Sequence, residues 1–166
     1  NLIGGGSDQQ VDLFYSSPMV HLDNELIVSS ALSTFSMNSV NGSLNWEFPF
    51  ASEITPIVLK DYVFLTSGKG FLLSLNRKTG KVVWSGSIFK KSKKLEHKKT
   101  GDIISILFLS DQIFITTERG YFLFLDYQNG KVINYAKVSK GFFSKPIIWN
   151  ETILIIDNKM RILQFN

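Results

Sequence analysis

Side chains that could do chemistry are few in this chain and far apart. The chain has no cysteine and only two histidines, His21 and His97. The missing thiols exclude disulfides, thiolate metal sites and cysteine nucleophiles. Neither histidine has a second ligand at a spacing typical of metal sites, and no Gly-x-Ser-x-Gly nucleophile motif is present. The sequence therefore predicts a protein with no catalytic residues, no metal and no cofactor.

One stretch, KKSKKLEHKK at residues 90–99, carries much of the positive charge. It holds six of the eighteen basic residues and one acid, Glu96. The formal net charge is +4, but without this stretch twelve basic and thirteen acidic residues remain, which is −1. Nucleic-acid-binding runs usually interleave aromatic or arginine side chains, and this one does not, so nucleic acid is a poor candidate. We interpret the stretch as a solvated loop; electrostatic contact with lipid head groups or with a partner protein is the alternative.

The elements that must position these residues repeat along the chain. Residues 55–84, TPIVLKDYVFLTSGKGFLLSLNRKTGKVVW, form four apolar runs separated by turns, a pattern typical of four short antiparallel strands. A shift of 38 residues places this segment on residues 17–46, with Asp61 on Asp23, and a shift of 50 places it on residues 105–134. A fourth copy, KPIIWNETILIIDNKMRILQFN, has three runs. Units of roughly 40 residues with four strands each are typical of β-propeller blades.

The residues that recur between the copies have structural explanations. Gly42, Gly80 and Gly130 each stand at a hairpin position that requires a positive φ. Trp46 and Trp84, at the end of the fourth run, are large enough to reach a neighbouring sheet and bury about 200 Å². In the third copy Asn134 stands at this position, so we expect a weaker contact there.

The sequence thus predicts an all-β fold, a β-propeller fragment of about four four-stranded antiparallel blades. The predicted blades cover residues 12–50, 51–90, 101–139 and 140–166; the last lacks its outer strand, and residues 90–101 are a Lys-rich insertion between blades. Nearly continuous apolar runs such as Val63-Phe64-Leu65 indicate sheets covered on both faces. The open ends would expose apolar faces, which favours self-association of an isolated fragment.

Two stretches carry a resemblance to known families. LNRKTGKVVW resembles the repeat of pyrrolo-quinoline-quinone-type propellers, and the Lys-rich stretch after it is similar to alphaproteobacterial members of the BamB family. The end of the chain, ERGYFLFLDYQNGKVINYAKVSKGFFSKPIIWNETILIIDNKMRILQFN, resembles the C-terminal end of that family, the propeller lipoproteins of the outer-membrane β-barrel assembly machine. The shared features are a Gly-Tyr strand, an Asn-Gly turn, a Gly-Phe that enters the last blade and an ending after the third strand. The resemblance covers residues 12–166 and implies the C-terminal half of an eight-bladed ring, whose last outer strand comes from an N-terminal segment.

This resemblance implies a function as well as a fold. It implies a non-enzymatic scaffold on the periplasmic face of the outer membrane, anchored through an upstream lipidated cysteine. Its partner would be the periplasmic domains of the barrel-inserting subunit, BamA. The family contacts that partner partly through an acidic pair just before the Thr-Pro that opens a blade. The matching positions here are Leu13 and Tyr15, with Asp12 beside them, so Asp12 and Tyr15 are the predicted partner-binding residues.

Two alternatives share the same repeat. A quinone-dependent dehydrogenase would need calcium held by Glu, Asn and Asp side chains and, in most members, an adjacent cysteine pair, and the chain has no cysteine. A different protein-binding repeat propeller would need none of these residues and stays open.

Overall fold

The computed structural model describes residues 17–30, 32–89 and 95–165. Within these ranges nearly all regular structure is antiparallel sheet, arranged as four successive sheets whose strands neighbour one another in chain order. This is the arrangement of blades in a β-propeller fragment, and the predicted fold class is confirmed.

The strands are short, and each sheet is a simple meander. The first sheet consists of β1 (Val20–Leu22), β2 (Glu25–Ser29), β3 (Thr34–Asn38) and β4 (Leu44–Phe48). The second consists of β5 (Ile57–Val58), β6 (Tyr62–Thr66), β7 (Phe71–Asn76) and β8 (Val82–Ser87). A one-turn helix, α1 (His97–Thr100), precedes the third sheet, which consists of β9 (Ile103–Leu109), β10 (Gln112–Thr117), β11 (Tyr121–Asp126) and β12 (Val132–Lys137). The fourth consists of β13 (Ile147–Trp149), β14 (Thr152–Ile156) and β15 (Ile162–Phe165).

The central strands of the second and third sheets are apolar on both faces because each sheet lies between two others. In β6, Val63 and Leu65 pack into the core shared with the first sheet, and Phe64 between them packs into the core shared with the third. In β10, Ile113 packs toward the second sheet and Phe114 toward the fourth. The alternation of side chains along a strand sends neighbouring residues into different cores.

The turn between the third and fourth strands is built alike in the first three sheets. The residue at its start uses its side-chain oxygen to accept the N–H two residues on, at 2.8, 3.1 and 2.8 Å, and its carbonyl accepts the N–H of the turn glycine. These starting residues are Asn38, Asn76 and Asp126, and the glycines Gly42, Gly80 and Gly130 have φ of 73°, 66° and 68°. In each of these three sheets a register shift lies on the third strand, just before the turn. The glycines were readable in the sequence, whereas the capping by Asn and Asp side chains was missed.

The strand pairing corrects part of the repeat alignment. The constant shift of 38 residues is wrong for the first two strands, because Ile27 pairs with Ser36 where Phe64 pairs with Ser74. Ile27 is therefore the counterpart of Phe64, at an offset of 37. The cause is the β2–β3 turn, which is one residue shorter than the β6–β7 turn.

The end of the Lys-rich insertion is packed against the sheets. Leu95 is only 2% exposed and belongs to the core between the second and third sheets, and Thr100, the last residue of α1, is fully buried. The expectation of a solvated loop, made for residues 90–99, is therefore wrong at Leu95, and Thr100 lies one residue beyond that stretch. Residues 90–94, which carry four of the lysines, lie outside the described residues.

The fourth sheet has three strands among the described residues, and one of its faces has no sheet against it. Ile153 and Ile155 point into the core shared with the third sheet. The opposite face presents Ile147, Trp149 and Ile162, which are 62%, 65% and 73% exposed. Within the part of the chain that the structure describes, the fourth sheet is therefore covered on one face.

Candidate protein-binding face

The loops that join successive sheets lie together with the turns between second and third strands. We call this surface the connection face; it comprises residues 51–54, 67–70, 95–102, 117–120 and 139–143. Backbone hydrogen bonds link its segments. Ile103 N–H donates to the Gly68 carbonyl at 2.7 Å, between the third and second sheets, and Glu118 N–H donates to the Asp102 carbonyl at 2.9 Å, within the third sheet. Because each turn holds the next connection in place, the surface is fixed by the sheets below it.

An acidic cluster of Glu53, Asp102 and Glu118 lies on the connection face, and Lys69 is exposed in the adjacent turn. Glu53 accepts the Gly68 N–H at 2.7 Å, and Glu118 accepts the Asp102 N–H at 3.2 Å. The Asp102 carboxylate pairs with His97, and both side chains are more than 40% exposed. Acids fixed by backbone donors and open to solvent can steer a basic partner and set its orientation.

Positive groups border this acidic centre on the side of α1. The Arg119 guanidinium donates to the Lys98 carbonyl, which holds the helix against the β10–β11 turn. Lys98 itself is exposed. The connection face thus presents both signs of charge in fixed positions, as polar protein-binding surfaces do.

No metal centre is formed by the part of the chain that the structure describes: no three His, Cys, Asp or Glu side chains come together there. His21 bonds the Ser39 hydroxyl at 3.1 Å, and His97 bonds Asp102, so the two histidines serve separate loops. No described helix is long and apolar enough to cross a membrane.

The predicted partner-binding residues Asp12 and Tyr15 lie outside the described residues. The nearest described residue, Ser17, donates its N–H to the Ser29 carbonyl at 3.0 Å, as Glu53 does to Thr66 at 3.0 Å in the next sheet. Ser17 therefore lies in the first sheet where Glu53 lies in the second, at the connection face.

Trp46 and Trp84 join neighbouring sheets. Both lie inside the fourth strands β4 and β8. The indole Nε1–H of Trp46 donates to the Arg77 carbonyl at 2.7 Å, and that of Trp84 donates to the Tyr127 carbonyl at 2.9 Å. Each bond ends in the turn between the third and fourth strands of the following sheet. Asn134, in the matching position of β12, makes no such bond among the interactions described; its side-chain oxygen accepts the N–H of Tyr135 at 2.8 Å.

The same two tryptophans give a second reason for glycine at two of the three turn positions. A Cβ at Gly80 would lie 2.8 Å from the Trp46 ring, and a Cβ at Gly130 would lie 2.5 Å from the Trp84 ring. At Gly42 a Cβ would meet nothing within 4 Å. Gly80 and Gly130 are therefore needed both for a positive φ and for the close approach of an indole, whereas Gly42 is needed for φ alone.

A partly buried ion-pair network also joins the first two sheets, and no sequence pattern indicated it. The Arg77 Nε–H donates to Glu25 at 2.5 Å, and its Nη2 donates to Asp23 at 3.1 Å and to the Leu22 carbonyl at 2.9 Å. The Arg77 and Glu25 side chains are 9% and 14% exposed. Burial alone would lower the pKa of the Arg77 guanidinium, but the hydrogen bonds and charges of Glu25 and Asp23 outweigh it, so the pKa is raised. Arg77 therefore stays charged and clamps the two sheets.

A family model that matches nearly the whole chain shows the family to which the chain belongs. The family model described as Outer membrane protein assembly factor BamB matches residues 9–166. The chain belongs to the BamB family. No curated protein matches the chain in sequence.

Solved structures agree with this family at the level of fold. The chain is similar to BamB from Moraxella catarrhalis, with a TM-score of 0.68 and 17% identity over 89% of this chain and 42% of that one. It is also similar to the computationally designed Ika4 protein, with a TM-score of 0.71 and 8% identity over 91% of this chain and 90% of that one. A third likeness is to quinohemoprotein alcohol dehydrogenase from Comamonas testosteroni, with a TM-score of 0.56 and 18% identity over 72% of this chain and 20% of that one. The chain thus spans less than half the length of the BamB chain that it matches.

Proposed function

We propose that this BamB-family protein is a non-enzymatic scaffold of outer-membrane β-barrel assembly, which binds the periplasmic domains of BamA. The observation that carries the proposal is the family match over residues 9–166. It implies a location at the periplasmic face of the outer membrane, with a lipid anchor upstream. The likeness to the quinohemoprotein dehydrogenase has an identity of 18% and bears on the fold alone.

We assign the partner contact to the connection face and to the segment that enters it. Ser17 lies at this face, and Tyr15 is two residues upstream of it. Tyrosine is one of the residue types that most often anchor an interface. Asp12 adds a negative charge to the same segment, and a charge of this kind acts mainly on the association rate and on its dependence on salt.

A pull-down with the isolated periplasmic domains of BamA tests the proposal. The full-length protein should bind at low salt, and Tyr15→Ala should weaken binding by about tenfold or more, because it removes an anchor. Asp12→Ala should lower the association rate and flatten its dependence on salt.

Asp61→Ala is the matched control for the aspartate. Asp61 is an exposed aspartate in the β5–β6 turn, and its carbonyl accepts the Arg77 N–H at 2.9 Å, on the surface opposite the connection face. This variant should bind as the wild type does. Failure of the full-length wild-type protein to bind at low salt would refute the proposed partner.

A further inference from the structure

A groove opens at the outer margin of the second and third sheets. Its volume is about 430 Å³, within the roughly 300–1,000 Å³ of most ligand pockets. Its floor is apolar, formed by Leu72, Trp84, Ile88, Leu95 and Val132. Leu95 comes from the Lys-rich insertion, so the extra residues of this repeat help to form the groove.

Gly86 keeps the groove open. A Cβ at this position would meet nothing within 4 Å. In the first sheet the matching residue is Phe48, since Phe48 pairs with Thr34 as Gly86 pairs with Leu72. Phe48 packs against the core between the first and second sheets. The Phe48 ring thus fills the space between the first and second sheets, whereas the corresponding space between the second and third sheets, at Gly86, is left open.

Tyr135 stands across the groove but does not close it. It lines the space from β12 and remains 37% exposed. Ile133, beside it on the rim, is 56% exposed. Apolar surface of this kind on a groove wall marks a place where another apolar group can be buried.

The walls of the groove favour an extended segment. β8 and β12 are the outermost strands of their sheets among the described residues. An outer strand has one row of backbone N–H and C=O groups without a neighbouring strand, which can pair with an added strand. A peptide that lies along this edge would point alternate side chains into the groove.

The charge of the lining favours an acidic segment. Among the described residues that line the groove, Lys131 is the one charged residue and none is a carboxylate. Lys131 is exposed at the rim, beside Asn129. An opposite charge on the bound segment would fix its direction and register.

We propose that this groove binds an extended polypeptide segment, whose aromatic side chain fills the space above Gly86 while a neighbouring carboxylate pairs with Lys131. The inference deepens the proposed function, on which it rests, by adding a second class of protein ligand. Apart from Leu95, which belongs to both, the residues that line the groove lie outside the connection face, so the two sites can be tested separately.

The test is fluorescence anisotropy with the full-length protein and fluorescein-labelled peptides. The probe is TVDFTVN, and the control peptides are TVDATVN, which lacks the aromatic ring, and TVKFTVN, which reverses the charge. TVDFTVN should bind saturably, and TVDATVN should bind at least about tenfold more weakly, because it lacks the side chain that fills the groove. Equal binding of these two peptides, or no binding of TVDFTVN to the folded protein, would overturn the proposal.

Two variants locate the binding site. Gly86→Phe should fill the groove and weaken TVDFTVN binding by at least about tenfold, while Ala136→Phe should leave it unchanged. Ala136 is the matched position of β12, paired with Phe122 as Gly86 is paired with Leu72. Lys131→Glu should weaken TVDFTVN and favour TVKFTVN, and it keeps the proposal testable if Gly86→Phe fails to fold. Unchanged binding in both Gly86→Phe and Lys131→Glu would overturn the assignment.

Comparison with the BamA pull-down separates the two proposals. If TVDFTVN does not bind the wild-type protein while the BamA domains do, the groove proposal is refuted and the scaffold function stands. If the variants change TVDFTVN binding as expected while the wild-type protein does not bind the BamA domains, the proposed partner is refuted and the groove stands.

Discussion

Replacing Trp46 by phenylalanine tests whether the indole bond holds the first two sheets together. Trp46 is 7% exposed, and its Nε1–H donates to the Arg77 carbonyl at 2.7 Å. The smaller ring buries on the order of 40 Å² less apolar surface, which costs about 1 kcal/mol at roughly 25 cal/mol per Å². Loss of the donor to a buried carbonyl adds about 1–3 kcal/mol. We therefore expect Trp46→Phe to lower the free energy of unfolding by about 2–4 kcal/mol.

The measurement is urea unfolding followed by far-UV circular dichroism, since the substitution itself changes the tryptophan fluorescence. The midpoint of thermal unfolding should fall by about 4–16 °C, at roughly 2–4 °C per kcal/mol for a chain of this size. The same substitution has two internal comparisons. Trp84→Phe should cost less, because Trp84 is only half-buried and its bond to Tyr127 is 2.9 Å long.

Trp149→Phe is the control, because this tryptophan is 65% exposed on the open face of the fourth sheet. It should change stability by no more than about 0.5 kcal/mol. Equal effects of Trp46→Phe and Trp149→Phe would show that the indole bond does not join the sheets. So would a change below about 0.5 kcal/mol for Trp46→Phe.

Four further substitutions probe two glycines, the ion pair and the fourth sheet. Gly70→Ala should lower the free energy of unfolding by about 2 kcal/mol or more, because φ is 88° there and a Cβ would strike the Phe89 ring. In the same urea titration, Gly86→Ala should leave the free energy of unfolding unchanged or raise it by up to about 1 kcal/mol. Arg77→Met should cost about 3–5 kcal/mol by stranding the Glu25 carboxylate, and Arg77→Met with Glu25→Gln should recover part of it; no recovery would contradict the pairing. The hydrogen bond from the Arg161 side chain, with backbone bonds from Arg161 and Lys159, lowers the pKa of Asp157 against the effect of desolvation. The ionised Asp157 carboxylate therefore stabilises the folded protein above the unfolded pKa of about 3.9, and this stabilisation is lost as pH falls through the folded pKa. Asp157→Asn should make the free energy of unfolding less dependent on pH in acid. An unchanged slope would argue against this assignment.

The repeats and their turns were readable from the sequence because they depend on local chemistry. A glycine at a fixed place between two apolar runs marks a hairpin whatever surrounds it. Apolar residues at successive positions, as in Val63-Phe64-Leu65, mark a strand with a sheet on either side. These rules need no knowledge of distant contacts, and they were enough for the fold class.

The contacts between sheets were less readable because they join residues far apart in the chain. Arg77 follows a strand as an ordinary turn residue would, and only the fold brings Glu25 and Asp23 to it. Leu95 is a single apolar residue in a run of lysines, which composition alone assigns to solvent, yet it is buried in the core. The groove above Gly86 could have been suspected from the pairing of repeats, since Phe48 occupies the matching position, but its depth depends on Leu95.

The two-sided packing of β6 and β10 makes unfolding unequal along the chain. An inner sheet cannot open without uncovering the cores on both of its sides, whereas the fourth sheet uncovers only one. In repeat arrays each unit is stabilised by its neighbours, so a sheet with one covered face opens more readily than a sheet covered on both faces. Amide hydrogens of β6 and β10 should then exchange with solvent deuterium more slowly than those of β14, although all three strands carry nearly the same apolar sequence.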